Sequence, residues 1–206
     1  MNLQQLTYKI KLLQKEQLLG LVSHKKLAPK FRMNEIFEQD QSNAKVSAVL
    51  LLLYPENGNI LMPFIKRPTD GTLHSGQIAF PGGKTEKTDK NHYDTATRET
   101  YEEIGIPQKE VEFLNYLSPL FIPVSNFLVM PVIGVLQNKP KFVKNKYEVD
   151  KIFTVSIEEL LNFKAEDKKI KVRGNIMNVP VFEYKNYTIW GATAMILSEF
   201  IDILKK

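Results

Sequence analysis

"FPGGKTEKTDKNHYDTATRETYEEIGIP", residues 80–107, sets Asp89, Glu99, Glu102 and Glu103 around one arginine, Arg98, behind a Pro-Gly-Gly turn. The second half reads as a helix from Asn91 to Ile104. Asp89 or Asn91 can cap its start, Gly105 can take the left-handed conformation just past its end, and Pro107 stops it. At roughly 100° per residue, Tyr93, Ala96, Thr97, Thr100 and Ile104 share one modestly apolar face that should pack inward. Glu99, Glu102 and Glu103 stand at i, i+3 and i+4, so their carboxylates are expected to converge on one patch.

Most charged helix faces are solvated and laced with ion pairs. Pairing here would need bases three or four positions from each acid. Arg98 reaches Glu102 at i+4 and is poorly placed for Glu99 or Glu103. Like-charged i,i+4 pairs cost a few tenths of a kcal/mol, a repulsion with no stabilising return. A hard divalent cation would convert that repulsion into coordination, because Mg²⁺ takes oxygen ligands and bridges carboxylates to substrate phosphates. The glycines of "FPGG" permit tight turning and close backbone approach, so a main-chain oxygen of Gly82 or Gly83 can complete such a shell. A Pro-Gly-Gly without the helix would mark only a turn.

Outward from this stretch the pattern is mostly strands. "KVSAVLLLLY" (45–54) and "NILMPFIKR" (59–67), separated by Pro55, Glu56, Asn57 and Gly58, form a hairpin signal. Further strands are expected at 77–80, 111–117, 127–136, 151–155, 170–173, 179–184 and 187–190. Ser156 with Glu159 makes a capping box for a short helix to Phe163, and a closing helix runs from Ala192 to Leu204. Leu3, Leu6, Ile10, Leu13, Leu18 and Leu21 predict one amphipathic helix over 3–22 whose apolar face docks on the core, followed by a connector over 24–43. Strands with a few helices between them make an α+β mixture.

The 206 residues suit one substantial domain, or one with a terminal extension; 43% are hydrophobic and 25% charged, which argues against disorder. No cysteine is present, so disulfides, thiolate zinc sites and a cysteine nucleophile are excluded, and a reducing cytoplasm is the expected location. The N-terminal "MNLQQLTYKIKLL" lacks the form of a secretory signal, and no apolar run is long and unbroken enough to span a membrane. A net charge of +5 favours anionic partners such as nucleotides, or serves solubility alone. The lysines over 139–151 are interleaved with Glu148 and Asp150, so a solvated loop is expected there rather than a nucleic-acid arm.

The series Gly83, Asp89, Arg98, Glu99, Glu102, Glu103, Gly105, Ile106 resembles the Nudix box, which ends in Arg-Glu-hydrophobic-x-Glu-Glu-x-Gly-hydrophobic. Asp89 stands where that family usually has Glu, with one extra residue before Arg98, and Thr100 replaces a bulky apolar residue. The extra residue with Asp, and "GTLHSGQIAFPGG" (71–83), resemble the coenzyme A pyrophosphatase branch. "FIPVSNFLVMPVIG" (121–134), "VDKIFTVSIEELL" (149–161) and "IWGATAMILSEF" (189–200) are similar to its later segments. The branch signature usually has an arginine four residues before its glycine, where this chain has Thr72.

The resemblance implies an α/β/α sandwich with a mixed central sheet plus an N-terminal helix, divided as an extension over 1–42 and a Nudix domain over 43–206. It implies metal-dependent hydrolysis of the diphosphate bond of coenzyme A or a derivative. Glu99, Glu102 and Glu103, with Gly83, would hold Mg²⁺ or Mn²⁺; Glu99, Glu103 and Arg98 would be the catalytic residues, Glu99 assisting the water and Arg98 orienting Glu102. Lys66 and Arg67 are candidates for the substrate's 3′-phosphate, or ordinary strand-end charges. His74 either touches substrate or makes a local hydrogen bond. Trp190 reads as core packing before it reads as a surface for adenine. Two other functions stay open: a Nudix enzyme acting on ADP-ribose, dinucleotide polyphosphates or oxidised nucleotides, and a Nudix-fold module that binds nucleotide or RNA without turnover. No nucleic-acid or membrane partner is expected, and the N-terminal helix could support a homodimer.

Overall fold

The computed structural model describes residues 2–71, 74–172 and 174–206, with residues 38 and 172 by backbone alone; Thr72 and Arg173, singled out above, lie outside the described residues. Three helices come first: α1 (Leu3–Lys11), α2 (Gly20–Leu27) and α3 (Met33–Glu38). A hairpin follows, β1 (Lys45–Glu56) and β2 (Asn59–Lys66), then β3 (Ile78–Ala79), β4 (Gly82–Lys84) and the acidic helix α4 (His92–Ile104). Next are β5 (Glu112–Tyr116), β6 (Leu120–Ile122), β7 (Phe127–Val135), β8 (Lys151–Ser156) and α5 (Ile157–Leu161). The chain closes with β9 (Glu166–Val172), β10 (Asn175–Tyr184), β11 (Tyr187–Trp190) and α6 (Gly191–Lys205).

β1 organises the main sheet because both of its faces are buried and both of its edges are paired. β7 runs parallel along one side of it, while β4 and then β2 pair with it antiparallel, so the sheet is mixed. Leu50, Leu52 and Tyr54 point to the side covered by Ala96 and Ile104 of α4. Leu51 and Leu53, with Met62 and Phe64, meet Leu197, Phe200 and Ile201 of α6 on the other. The alternation is the period of two of a strand buried on both faces, and it yields the three-layer sandwich. The hairpin turns on two residues, Asn57 and Gly58, both with positive φ (51° and 79°), the conformation a tight primed turn demands. β9, β10 and β11 form a separate antiparallel sheet.

Two expectations change. The helix over 3–22 is divided, with a single 3₁₀ turn over Lys15–Gln17 between α1 and α2, and the connector after it is partly helical as α3. The division has a long-range cause. The Asn115 side chain on β5 donates to the carbonyls of Ile10 (3.0 Å) and Leu13 (2.9 Å), satisfying the open end of α1. "FPGG" is the second change: it is not a turn but the lead into a strand. Leu50 N–H donates to Pro81 O at 2.8 Å, and Gly83 sits opposite Ala48. Gly82 has φ 151°, and a Cβ there would stand 2.6 Å from Val49 Cα, so only glycine fits.

The N-terminal helices dock on the core as expected, with Leu6, Ile10, Leu27 and Ile36 buried among the residues of α6 and the sheet. Their anchor is a carboxylate. Glu199 of α6, fully buried, accepts from the N–H groups of Leu19 (3.1 Å), Gly20 (2.8 Å) and Ser118 (3.1 Å), and from Ser118 Oγ (2.7 Å). His24 Nε2 lies 3.1 Å from Oε2, the oxygen that also accepts from the Ser118 N–H. Burial acts to raise the Glu199 pKa, but the hydrogen bonds from His24, Ser118 and Gly20 together outweigh it and hold the carboxyl below its ordinary value. Removing a hydrogen-bonded buried charge strands its partners. Glu199→Ala is expected to lower stability by about 3–5 kcal/mol, read from urea denaturation; a loss below about 1 kcal/mol would show that the network does not anchor the N-terminal helices.

Candidate active site

The site is built where α4 lies against β4. Asn91 caps α4 by accepting from Asp94 N–H at 3.0 Å, and Gly105, at φ 76°, ends it. The inward face is the expected one, with Ala96, Thr97, Thr100 and Ile104 buried. Thr100 fits in place of a bulky apolar residue because its hydroxyl donates to Ala96 O at 2.6 Å, leaving only the methyl to pack.

Glu103 is buried, which helical periodicity did not reveal. Its carboxylate accepts from Gly82 N–H at 2.9 Å, and Arg67 stands 3.8 Å away. Burial pushes its pKa up to about 7, against the pull of Arg67 and Gly82 N–H, and the negative charges of Glu99 and Glu148 add to the rise. Glu99 is also raised by burial, with Arg98 opposing. Its carboxylate occupies the space that a side chain on Gly83 would take, a Cβ there standing 2.6 Å from Oε1. Both glycines therefore serve the carboxylates, Gly82 through its N–H and Gly83 through its missing Cβ.

Arg98 does more than its sequence position indicates. Its guanidinium bonds Asp89 at 2.9 and 3.0 Å and Lys84 O at 2.9 Å, and it reaches Glu99 at 3.0 Å as well as Glu102 at 3.3 Å. The expectation that it misses Glu99 is thus corrected: the arginine is steered by Asp89 back across the helix. The hydrogen bond to Arg98 holds the Asp89 carboxyl down at about 2. The carboxylates share one side of α4, yet among the described residues no three acids or histidines are gathered as a cation site. Arg98 draws Glu99 and the largely exposed Glu102 to itself, while Gly82 and Arg67 hold Glu103.

The expected substrate residues separate. Arg67 and His74 line a cavity of about 470 Å³ together with Gly82, Gly83 and Lys84, and His74 Nδ1 is 3.1 Å from Gln77 Oε1, a local hydrogen bond. Lys66 does not line it; the adjacent strand position turns it the other way, to an ion pair with Asp150 at 2.8 Å. Trp190, read as core, is only partly buried and borders the same cavity. Glu148, read as part of a solvated loop and exposed as such, was not connected with α4 because nothing in its spacing relates it to that helix. Backbone bonds from Val143 to Ile104 O and from Asn145 to Glu103 O, both 2.9 Å, dock its loop on the end of the helix.

An α/β/α sandwich whose Arg-Glu-x-x-Glu-Glu helix lies on a glycine strand is a Nudix-type fold. Residues 44–173 match the family model of the NUDIX domain. Nudix hydrolase 15, mitochondrial, of Arabidopsis thaliana is 36% identical over 170 residues, covering 78% of this chain and 59% of that protein. The chain therefore spans less than two thirds of that relative's length. Uncharacterized Nudix hydrolase NudL of Klebsiella pneumoniae (strain 342) is 34% identical over 151 residues, 68% of this chain and 78% of that one. Among solved structures, the MutT/nudix family protein from Enterococcus faecalis superposes with a TM-score of 0.53 at 14% identity, over 94% of this chain and 76% of that one. The MutT protein from Methanosarcina mazei Go1 gives 0.51 at 18%, over 79% and 95%. The chain belongs to the Nudix hydrolase family.

The raised pKa of Glu103 has a stability consequence. Its neutral form is favoured in the fold, so its contribution is greatest below the ordinary value of 4.5 and is lost as pH rises through about 7. Above that, the ionised group costs on the order of 3 kcal/mol. In chelator, Glu103→Gln is expected to gain stability relative to the parent between pH 4.5 and 8, measured by urea midpoints; a difference independent of pH would refute the burial argument.

Proposed function

We propose that the protein hydrolyses the diphosphate bond of coenzyme A or a coenzyme A derivative, releasing 3′,5′-ADP and 4′-phosphopantetheine. The observation that carries this is Glu103, a buried acid hydrogen-bonded to Gly82 and 3.8 Å from Arg67, whose strand and cationic partners line the cavity. Membership in the Nudix hydrolase family supports the reaction class, and the flanking segments that resemble the coenzyme A branch support the substrate.

The donor set suits a hard divalent ion. Glu99, Glu102 and Glu103 offer only oxygen, Gly83 leaves room for the Glu99 carboxylate, and the charge of Glu103 has one cationic neighbour among the described residues. Mg²⁺ or Mn²⁺ held by these three glutamates and the Gly83 carbonyl would offset the diphosphate charge and polarise phosphorus. The chain's own residues do the rest. Arg67 orients a phosphate from the cavity wall. Arg98, locked by Asp89, positions Glu99 and Glu102. Glu99, its proton affinity raised by burial, accepts the proton of the attacking water, whose oxygen joins phosphorus as the bridging P–O bond breaks. The lack of cysteine supports a reducing compartment such as the cytoplasm.

A second reading rests on Thr72, which replaces the signature arginine. It keeps the chemistry and changes the substrate to ADP-ribose, a dinucleotide polyphosphate or an oxidised nucleotide. Product analysis with coenzyme A, ADP-ribose and diadenosine polyphosphates, each with Mg²⁺, Mn²⁺ or chelator, separates the two. Metal-dependent release of 3′,5′-ADP is expected, reduced at least about tenfold in Glu103→Gln. Cleavage of another substrate alone favours the second reading, and nucleotide binding without cleavage points to a binding module.

A further inference from the structure

Positive charge is not spread evenly along the chain. Residues 1–33 hold seven lysines and arginines and one acid, Glu16, whereas the other 173 residues carry 21 basic and 22 acidic side chains. The net charge of +5 therefore resides in the N-terminal segment, ahead of the Nudix-matched residues 44–173. Little of it is answered within the fold. Lys11 pairs with Glu112 and Lys26 with Asp202, but Lys15, Lys25, Lys30 and Arg32 have no ion pair among the described residues. Lys25 and Arg32 lie over the rings of Phe37 and Phe31, contacts that leave their charge uncancelled.

The same segment leaves apolar groups in water. Tyr8 (68% exposed) and Leu12 (57%) stand four residues apart along the outer side of α1, and Leu21 (49%) and Val22 (67%) are on the outer side of α2. Helical spacing sets lysines beside them: Lys11 is three on from Tyr8, Lys25 four on from Leu21, and Lys26 four on from Val22. The inner sides are already used. Leu6 and Ile10 of α1 and Leu27 of α2 are buried with Phe200 and Leu204 of α6, and Lys9 donates to Leu204 O at 3.0 Å. Ser23 and His24 meet Asp202 and Glu199 of the same helix. What both helices leave exposed thus belongs to the outside of the layer seated on α6.

Charge and apolar surface together discriminate between occupants. A second copy presenting this segment would set one unpaired positive surface against another. Nucleic acid answers the lysines but gains nothing from Leu12, Leu21 and Val22, which neither stack on bases nor hydrogen-bond to them. An anionic lipid surface answers both features. Its headgroups attract lysines within a Debye length, and large apolar side chains enter the acyl boundary while lysine stems extend back to the headgroups. The expectation of no membrane partner came from the lack of a spanning run, and docking on a surface requires none.

We infer that the outer sides of α1 and α2 form a docking surface for an anionic lipid membrane. Lys15, Lys25 and Lys30 meet the headgroups, and Tyr8, Leu12, Leu21 and Val22 enter the acyl boundary. The Glu199 network fastens α2 to α6, so this surface is part of the folded protein rather than a loose tail. It uses none of the residues assigned to catalysis and stands whichever diphosphate the enzyme cleaves.

Vesicle co-sedimentation with the full chain tests this, comparing phosphatidylcholine alone with vesicles containing about one third phosphatidylserine, at low and at raised salt. Two double variants accompany it, Leu21→Ser with Val22→Ser and Lys15→Gln with Lys25→Gln. All four positions are exposed, so urea midpoints equal to the parent's are expected. The parent should bind the phosphatidylserine vesicles at least about tenfold more tightly than phosphatidylcholine alone, with most of that difference erased by salt. Each double variant should weaken binding at least about tenfold. No association with the anionic vesicles, equal association with both kinds, or parent-like binding by either variant overturns the inference. Sedimentation velocity without lipid covers the remaining occupant: a dimer that the Leu21→Ser, Val22→Ser variant abolishes would assign the face to a second copy and overturn it as well. The parent's lipid and salt dependence decide the matter even if a variant proves unstable.

Discussion

The close seating of α4 on β4 is the constraint on which the rest of the site depends. It is possible because two glycines remove the atoms that would keep helix and strand apart. Gly82 adopts a backbone conformation only glycine tolerates and aims its N–H at Glu103; Gly83 lets the Glu99 carboxylate rest where a methyl group would be. Arg98 then bridges from the helix to Lys84 O on the strand and to Asp89 in the loop between them. A segment rich in like charge is thus tied down by Arg98 and the Gly82 N–H in addition to the apolar contacts of Ala96 and Ile104.

This arrangement explains why the acids differ although they share a helix. Glu102 is largely exposed and weakly paired, Glu99 is shielded and tied to Arg98, and Glu103 is buried with its pKa raised most. Environment alone separates them. A folded chain that keeps a carboxyl in such a place sacrifices stability for function, the usual character of a site whose charge is completed by a ligand.

The far side of the sheet shows the opposite use of a buried acid. Glu199 is surrounded by donors from three places: the start of α2, the His24 ring and the loop after β5. Its charge is fully met, so it acts as a fastener. By holding α2 it also fixes the course of the chain that leads to Phe31, so that the N-terminal residues reach the cavity beside β4.

What the sequence determined by itself was local. The caps and inward face of α4, the Asn57–Gly58 turn, and the capping box of Ser156 with Glu159, which the structure reproduces at 3.1 Å or less, are written in residues within a few positions of one another. The spacing of Arg98, Glu99, Glu102 and Glu103 was enough to indicate the family. Tertiary structure decided the rest. Whether "FPGG" is a turn or a strand depends on β1 lying beside it; where α1 ends depends on Asn115; which of Lys66 and Arg67 meets the cavity depends on Asp150 waiting on the other side. The burial of Glu103, the reach of Arg98 to Glu99 and the cavity wall drawn from both ends of the chain have the same origin. Each is set by groups remote in sequence, whose hydrogen bonds and burial exist only once the layers have packed.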